Sequence, residues 1–139
     1  MSIQNKKTVK LKEPLISIEN LEVKIINQDA TIHAVNGVDI KLDKGKVLTI
    51  LGESGSGKSV TMRSILRLLP PKASLSGSII LDGKNIIDMS QDQLSSMRGH
   101  EVSMIFQEPM VAFDPVYKVG SQIAETVVRH LGTSFNEGL

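Results

Sequence analysis

The stretch "LTILGESGSGKSV", residues 48–60, constrains this chain more than any other. It runs an apolar segment straight into a loop that holds three glycines, a lysine and several serines. Gly52, Gly57, Lys58 and Ser59 satisfy the spacing G-x-x-x-x-G-K-[ST]. At ordinary residue frequencies, a match somewhere in 139 positions arises by chance on the order of half a percent of the time. The flanks are selective as well. "KVLTIL", 46–51, has no polar face, which suits a strand buried on both sides in a parallel sheet. Downstream, Met62, Ile65, Leu66 and Leu69 recur at i, i+3, i+4 and i+7, and predict an amphipathic helix stopped by Pro70-Pro71. The glycines therefore fall at a strand-to-helix junction.

Such a junction has a chemistry. A polyphosphate concentrates negative charge, and consecutive backbone N–H groups surround it only where side chains do not obstruct them. Gly52, Gly55 and Gly57 provide that freedom, with Glu53, Ser54, Ser56 and Val60 completing the loop around them. The N-terminus of the following helix adds its partial positive charge. Lys58 then reaches β- and γ-phosphates as a point charge, and the Ser59 hydroxyl takes a place in the shell of a Mg²⁺ ion.

Composition narrows the remainder. With 40% apolar and 22% charged residues over 139 positions, the chain can bury a core as one domain's worth of sequence. The absence of cysteine excludes a disulfide framework and thiolate metal sites. The net charge of +1 is too small to argue for nucleic acid as a partner, and none is expected. The first 70 residues hold 11 Lys and Arg against 7 Asp and Glu, the rest 5 against 8, and Lys6, Lys7, Lys10 and Lys12 account for much of that asymmetry. No apolar run approaches the roughly 18 residues of a membrane span, and the start has no signal-peptide apolar stretch.

Along the chain, residues 1–14 read as a flexible tail ended by Pro14. "LISIENLEVKII", 15–26, and "TIHAVNGVDIKL", 31–42, predict an antiparallel pair, with a bulge or turn at Asn36-Gly37. "DKG", 43–45, is a tight turn. "GSIILDGKNII" predicts a strand turning at Asp82-Gly83, and Ser90 with Gln93 can form a capping box. "VSMIFQ", 102–107, is a second continuous apolar strand. Val119, Ile123, Val127 and Leu131 lie on a helix that Gly132 ends. His33, His100 and His130 lack metal-ligand spacing, and Met62, Met97, Met104 and Met110 read as core filling. Gln107 ends a strand of the kind whose loops meet ligands at one sheet edge, so its amide either faces a γ-phosphate, Mg²⁺ or water, or simply caps the strand.

Two segments carry a family resemblance, "AVNGVDIKLDKGKVLTILGESGSGKS" and "SMIFQEPMVAFDPVYKVGSQIAE". In content, order and spacing the chain from about residue 15 resembles the ATP-binding subunits of ABC transporters, in the oligopeptide and dipeptide importer branch. The resemblance implies an α/β fold: a P-loop NTPase (RecA-like) core, an antiparallel β subdomain on its N-terminal side, and a helical subdomain beginning at about 108–118. It implies MgATP as ligand and ATP hydrolysis as the family's activity. It makes Gln107 the head of the Q-loop, contacting Mg²⁺ and the lytic water. Residues 108–118 would face membrane permease subunits, a second ATPase subunit would complete the ATP site, and an extracytoplasmic substrate-binding protein would act indirectly. The location implied is peripheral, at the cytoplasmic face of the membrane.

The chain also departs from the family. Where members place an aromatic ring under the adenine stands Ile25, which reads equally as a core-strand residue. "PMVAFDP" replaces the more typical serine, leucine and asparagine. The LSGGQ-like signature, the carboxylate-ended strand and the switch histidine are absent, and "LSGS", 75–78, lies upstream of Gln107 and reads as a turn. "SFNE", 134–137, has the pattern of a capping box for a further helix, so the chain reads as the N-terminal part of a longer protein. Taken alone it would bind nucleotide without turning it over. A different soluble P-loop NTPase or small kinase is the remaining alternative, though "MIFQEP" has no role in one.

Overall fold

The computed structural model describes residues 13–134, so the tail before Glu13 and most of the capping box expected at 134–137 lie outside the described residues. The chain divides into two compact units, Met1–Met89 and Ser90–Leu139, each taken here by itself.

The first unit is built on an antiparallel sheet. β1 (Ile16–Ile26) pairs on one side with β2 (Thr31–Leu42) and on the other with β3 (Ala73–Leu81), and β3 turns into the short β4 (Lys84–Asn85), giving the order β2-β1-β3-β4. β1 is the apolar spine, with Ile16, Ile18, Leu21 and Val23 all buried. A strand alternates faces every residue, so Ile16 and Ile18 would ordinarily face away from Leu21 and Val23. Asn20 reconciles them. Its φ is 48°, and both ladders of β1 shift register around it. Its backbone N–H donates to Asp39 Oδ1 at 2.6 Å. One extra residue at this bulge returns the apolar face to the core.

Opposite this bulge lies "LSGS". It belongs to strand β3 and is not the turn expected from its composition. Gly77 has φ 95°, and a Cβ placed on it would stand 2.3 Å from the Asn20 carbonyl oxygen. Glycine here serves close backbone approach within a sheet, which composition alone does not separate from a turn. The irregularity expected at Asn36-Gly37 is present, with register shifts in β2 on both sides of Val35. Asp82 and Gly83 have φ 44° and 79°, the paired positive angles of a two-residue hairpin turn.

Asp82 also ties that hairpin to the 43–45 turn, through an ion pair with Lys44 Nζ at 2.5 Å. Hydrogen bonding to Lys44 and then the Lys44 charge hold the Asp82 carboxyl below its ordinary value of 3.8, against an opposing effect of desolvation and with a lesser contribution from the Lys84 charge. A carboxyl lowered in the folded state stabilises fully above its unfolded pKa and loses that contribution as pH falls through the folded value. NMR titration of the Asp82 side chain is therefore expected to show a midpoint below 3.8, and Lys44→Ala to move it back up. A midpoint that ignores the Lys44 substitution would exclude the pairing.

α1 (Lys58–Ile65) is shorter than the run to Pro70 that periodicity predicts. Arg67 stops it, at φ 50°. Arg67 N–H donates to Ser64 O at 3.0 Å and Leu68 N–H to Arg63 O at 2.9 Å, the two bonds of a Schellman motif, with arginine where glycine is usual. Its guanidinium donates to Met89 O at 2.6 Å, which offsets the strain of the left-handed backbone. Of the expected stripe Leu66 is buried, while Met62, Ile65 and Leu69 are only half-buried. The helix buries Thr61 and Ser64 as well, whose hydroxyls donate back to Gly57 O and Val60 O.

The two continuous apolar runs are corrections. Residues 46–51 and 102–107 form no strand ladder among the described residues, apart from an isolated bridge between Arg98 and Val102. Val47, Leu51 and Ile105 are 93%, 87% and 92% exposed. An apolar run expresses a preference for burial, but a strand also needs neighbours to take its N–H and C=O groups. Here the ladders of β1 and β3 are made with each other and with β2 and β4.

In the second unit, α2 (Gln91–Met97) has the expected capping box: Gln93 N–H donates to Ser90 Oγ and Ser90 N–H to Gln93 Oε1, at 3.3 and 2.8 Å. A 3₁₀ turn, Pro109–Ala112, follows, then α3 (Val119–Leu131), ended by Gly132 at φ 67°. Gln122 on α3 closes the preceding loop. Its Oε1 accepts from Asp114 N–H, and its Nε2 donates to Asp114 O and Tyr117 O, at 2.9, 3.0 and 3.1 Å. Of the α3 ladder, Val119, Ile123 and Leu131 are exposed, and Ala124 is the buried residue.

Candidate phosphate-binding site

The glycine loop ends where α1 begins. Gly57 is the N-cap, at φ 89°, and a Cβ there would stand 2.5 Å from the Ala34 carbonyl oxygen and 3.5 Å from Val35 Cγ2. Glycine is thus required twice at this position, for its backbone angle and for the close seat of the loop on β2. Gly52 differs. Its backbone is not left-handed; what it needs is room, since a Cβ would come within 2.8 Å of Ser56 Oγ. The other left-handed glycine of the loop is Gly55, at φ 81°.

α1 opens with no acidic residue in its first turn and no side-chain cap. Its ladder starts with Thr61 N–H donating to Gly57 O at 2.8 Å. The N–H groups of a first helical turn have no acceptor within their own helix, so this end offers donors and a partial positive charge. Lys58 adds a full one. Its ammonium donates to Gly52 O at 2.7 Å, Glu53 O at 2.5 Å and Ser56 Oγ at 3.2 Å, so the side chain arches back over its own loop. Ser59 follows it, exposed, and Val60 is half-buried. The loop residues Glu53, Ser54 and Ser56 are exposed. An uncapped helix N-terminus with an ammonium beside it is chemistry suited to an anion.

Ile25 lies half-buried on β1, paired with Ile32 on one side and Ala73 on the other. It is two residues beyond Val23, whose β2 partner Val35 touches the Gly57 seat. The strand pair that supports the loop therefore also carries Ile25. An open groove of about 450 Å³ lies at this end of the sheet, lined by residues 26–28 and 71–74. Gln107 is in the second unit, exposed, just ahead of the 3₁₀ turn. His33 and His100 are exposed, and His130 packs against Gly99. No group of three or more His, Cys, Asp and Glu is placed to hold a metal among the described residues. Nor is any described helix long and apolar enough to cross a membrane.

Sequence reasoning missed the Ala34–Val35 seat and the Ser56 contact. The seat is set by strand register 22 residues away, for which no local pattern exists; the contact follows from loop curvature.

Comparison with known proteins agrees with this geometry. The family model described as ABC transporter matches residues 35–137. The chain is 40% identical over 118 residues to the oligopeptide transport ATP-binding protein OppD of Bacillus subtilis (strain 168), across 84% of this chain and 33% of that protein. With the dipeptide transport ATP-binding protein DppD of the same organism it shares 42% identity over 120 residues, across 85% of this chain and 36% of that one. The chain thus spans about a third of the length of these relatives. Among solved structures, the dimeric ATP-binding cassette MJ0796, in a post-hydrolysis state bound to ADP and Pi, matches with a TM-score of 0.70. That match has 21% identity and covers 88% of this chain and 52% of the cassette. The fold is accordingly that of the N-terminal part of an ATP-binding cassette, an α/β P-loop architecture with its antiparallel sheet on the N-terminal side.

Proposed function

The chain belongs to the ABC transporter family, and on that premise we propose that it carries the ATP-binding half-site of an ATPase subunit that energises import of peptides or related solutes. The observation that carries the proposal is the Lys58 ammonium arched over a glycine loop that runs into an acid-free helix N-terminus. MgATP fits these residues. Gly52 to Val60 would surround the phosphates, with Lys58 on the β- and γ-phosphates and the exposed Ser59 hydroxyl in the Mg²⁺ shell. Gln107 would sense the metal and the γ-phosphate, and is the second residue assigned to hydrolysis beside Lys58. The helical subdomain would begin at 108–118, the segment that would face membrane permease subunits at the cytoplasmic face. A second ATPase subunit would complete the site, and a substrate-binding protein would deliver cargo from the far side. Peptide cargo is supported by the similarity to OppD and DppD.

The direct test is calorimetric titration of the full chain with MgATP. Saturable binding that pyrophosphate displaces supports the reading, and no binding by folded protein overturns it. The base contact has its own test. An aliphatic Ile25 packs on a purine without aromatic stacking, so Ile25→Tyr is expected to tighten MgATP binding by about 0.5–1.5 kcal/mol and to leave pyrophosphate binding unchanged. Equal effects on both ligands, or none, would return Ile25 to the role of an ordinary strand residue.

A further inference from the structure

We infer that Ser56 is a positioning residue for Lys58, its hydroxyl being the exchangeable third acceptor of the ammonium, which yields to a phosphate oxygen. The inference rests on the reading of the loop as a polyphosphate site and goes beyond it by naming what a phosphate must displace. An ammonium has three N–H donors and no acceptor. Lys58 Nζ has three partners, all from its own loop: Gly52 O, Glu53 O and Ser56 Oγ. Donors and acceptors match in number, so a phosphate oxygen reaching Nζ replaces one of the three.

The three are not equivalent. The carbonyls of Gly52 and Glu53 belong to the backbone, and Glu53 O also accepts from Ser56 N–H at 3.3 Å, which closes the loop as a turn. Moving either carbonyl changes the loop itself. Ser56 Oγ makes the longest bond, 3.2 Å against 2.7 and 2.5 Å, and it leaves by rotation about a single side-chain torsion. Gly52 is what admits it. The hydroxyl sits 2.8 Å from where a Cβ of residue 52 would be, so any other residue at that position would push it off the ammonium. The first glycine of the motif thus has a use beyond backbone freedom: it makes room for the acceptor that holds the lysine in place.

The experiment measures Mg-pyrophosphate affinity of the full chain by calorimetry, a probe that has no base and so reads the loop alone. Ser56→Ala removes the competing acceptor and is expected to bind pyrophosphate about threefold more tightly. Ser56→Cys, with a weaker acceptor, should tighten in the same direction, and Ser56→Thr, which keeps the hydroxyl, should keep the parent affinity. Thermal midpoints should be unchanged, since Ser56 is exposed. A merely structural residue would weaken binding when truncated. Unchanged or weaker binding in both Ser56→Ala and Ser56→Cys overturns the inference, weaker binding meaning that the hydroxyl donates to the anion. Failure of the underlying reading looks different: pyrophosphate binding would then survive Lys58→Ala.

Discussion

Replacing Lys58 by alanine is expected to weaken MgATP binding by roughly a hundredfold or more while the fold stays intact. The expected size follows from what is lost, a charge-assisted bond to a polyanion at a site whose other donors are neutral backbone groups. The fold survives for two reasons. Lys58 is half-buried but is not one of the buried core residues, and a cation in the first turn of a helix opposes the macrodipole, so its removal does not weaken α1. Circular dichroism and the urea midpoint should therefore match the parent, while calorimetry shows binding lost. Parent-like affinity in the variant would falsify the assignment of residues 52–60 as the phosphate site. Lys58→Arg separates charge from shape. The planar fork cannot reproduce three convergent bonds to Gly52, Glu53 and Ser56, so it should restore little.

Gly77→Ala is expected to produce the largest loss of stability, on the order of 3 kcal/mol or more. A methyl on Gly77 would stand 2.3 Å from Asn20 O and 2.7 Å from both Asn20 C and Glu19 O. These are backbone atoms of β1, the strand that carries the fully buried Ile18, Leu21 and Val23. No side chain can move aside, so β1 and β3 must separate or the bulge must dissolve. Dissolving it would cost more, because a one-residue slip turns either Ile16 and Ile18 or Leu21 and Val23 away from the core. Gly83→Ala is the control. It shares a positive φ, 79°, but nothing lies within 4 Å of its Cβ position, so only conformational strain of about 1–2 kcal/mol applies. Urea midpoints of the two variants should differ accordingly. Equal losses would show that backbone angle alone, and not the wedge against Asn20, sets the effect.

Much of the site was legible because its chemistry is local. Gly52, Gly57, Lys58 and Ser59 lie within eight consecutive residues, and loop curvature and helix polarity are properties of neighbours in sequence. The same holds for the turn at Asp82-Gly83, the capping box at Ser90 and Gln93, and the stop at Gly132, each formed as its residues indicate. Arg67 marks the boundary of that legibility. Its left-handed backbone is tolerable because Met89 O, 22 residues on, receives its guanidinium, so periodicity carried the helix too far.

Gly77 shows the limit from the other side. "LSGS" has the composition of a turn, and only the approach of Asn20 from the neighbouring strand makes it a strand with a gap. "KVLTIL" and "VSMIFQ" show it again, since an apolar run expresses a preference for burial but does not specify a strand to pair with. The glycine-lysine loop of residues 52–59, which we propose binds a polyanion, and the places where the chain turns could be read from residue order, because short-range sterics and hydrogen bonds decide both. Tertiary structure alone decided which face of β1 is buried, why Gly57 must be glycine against Ala34, and which runs become strands, because those depend on partners the chain reaches only by folding.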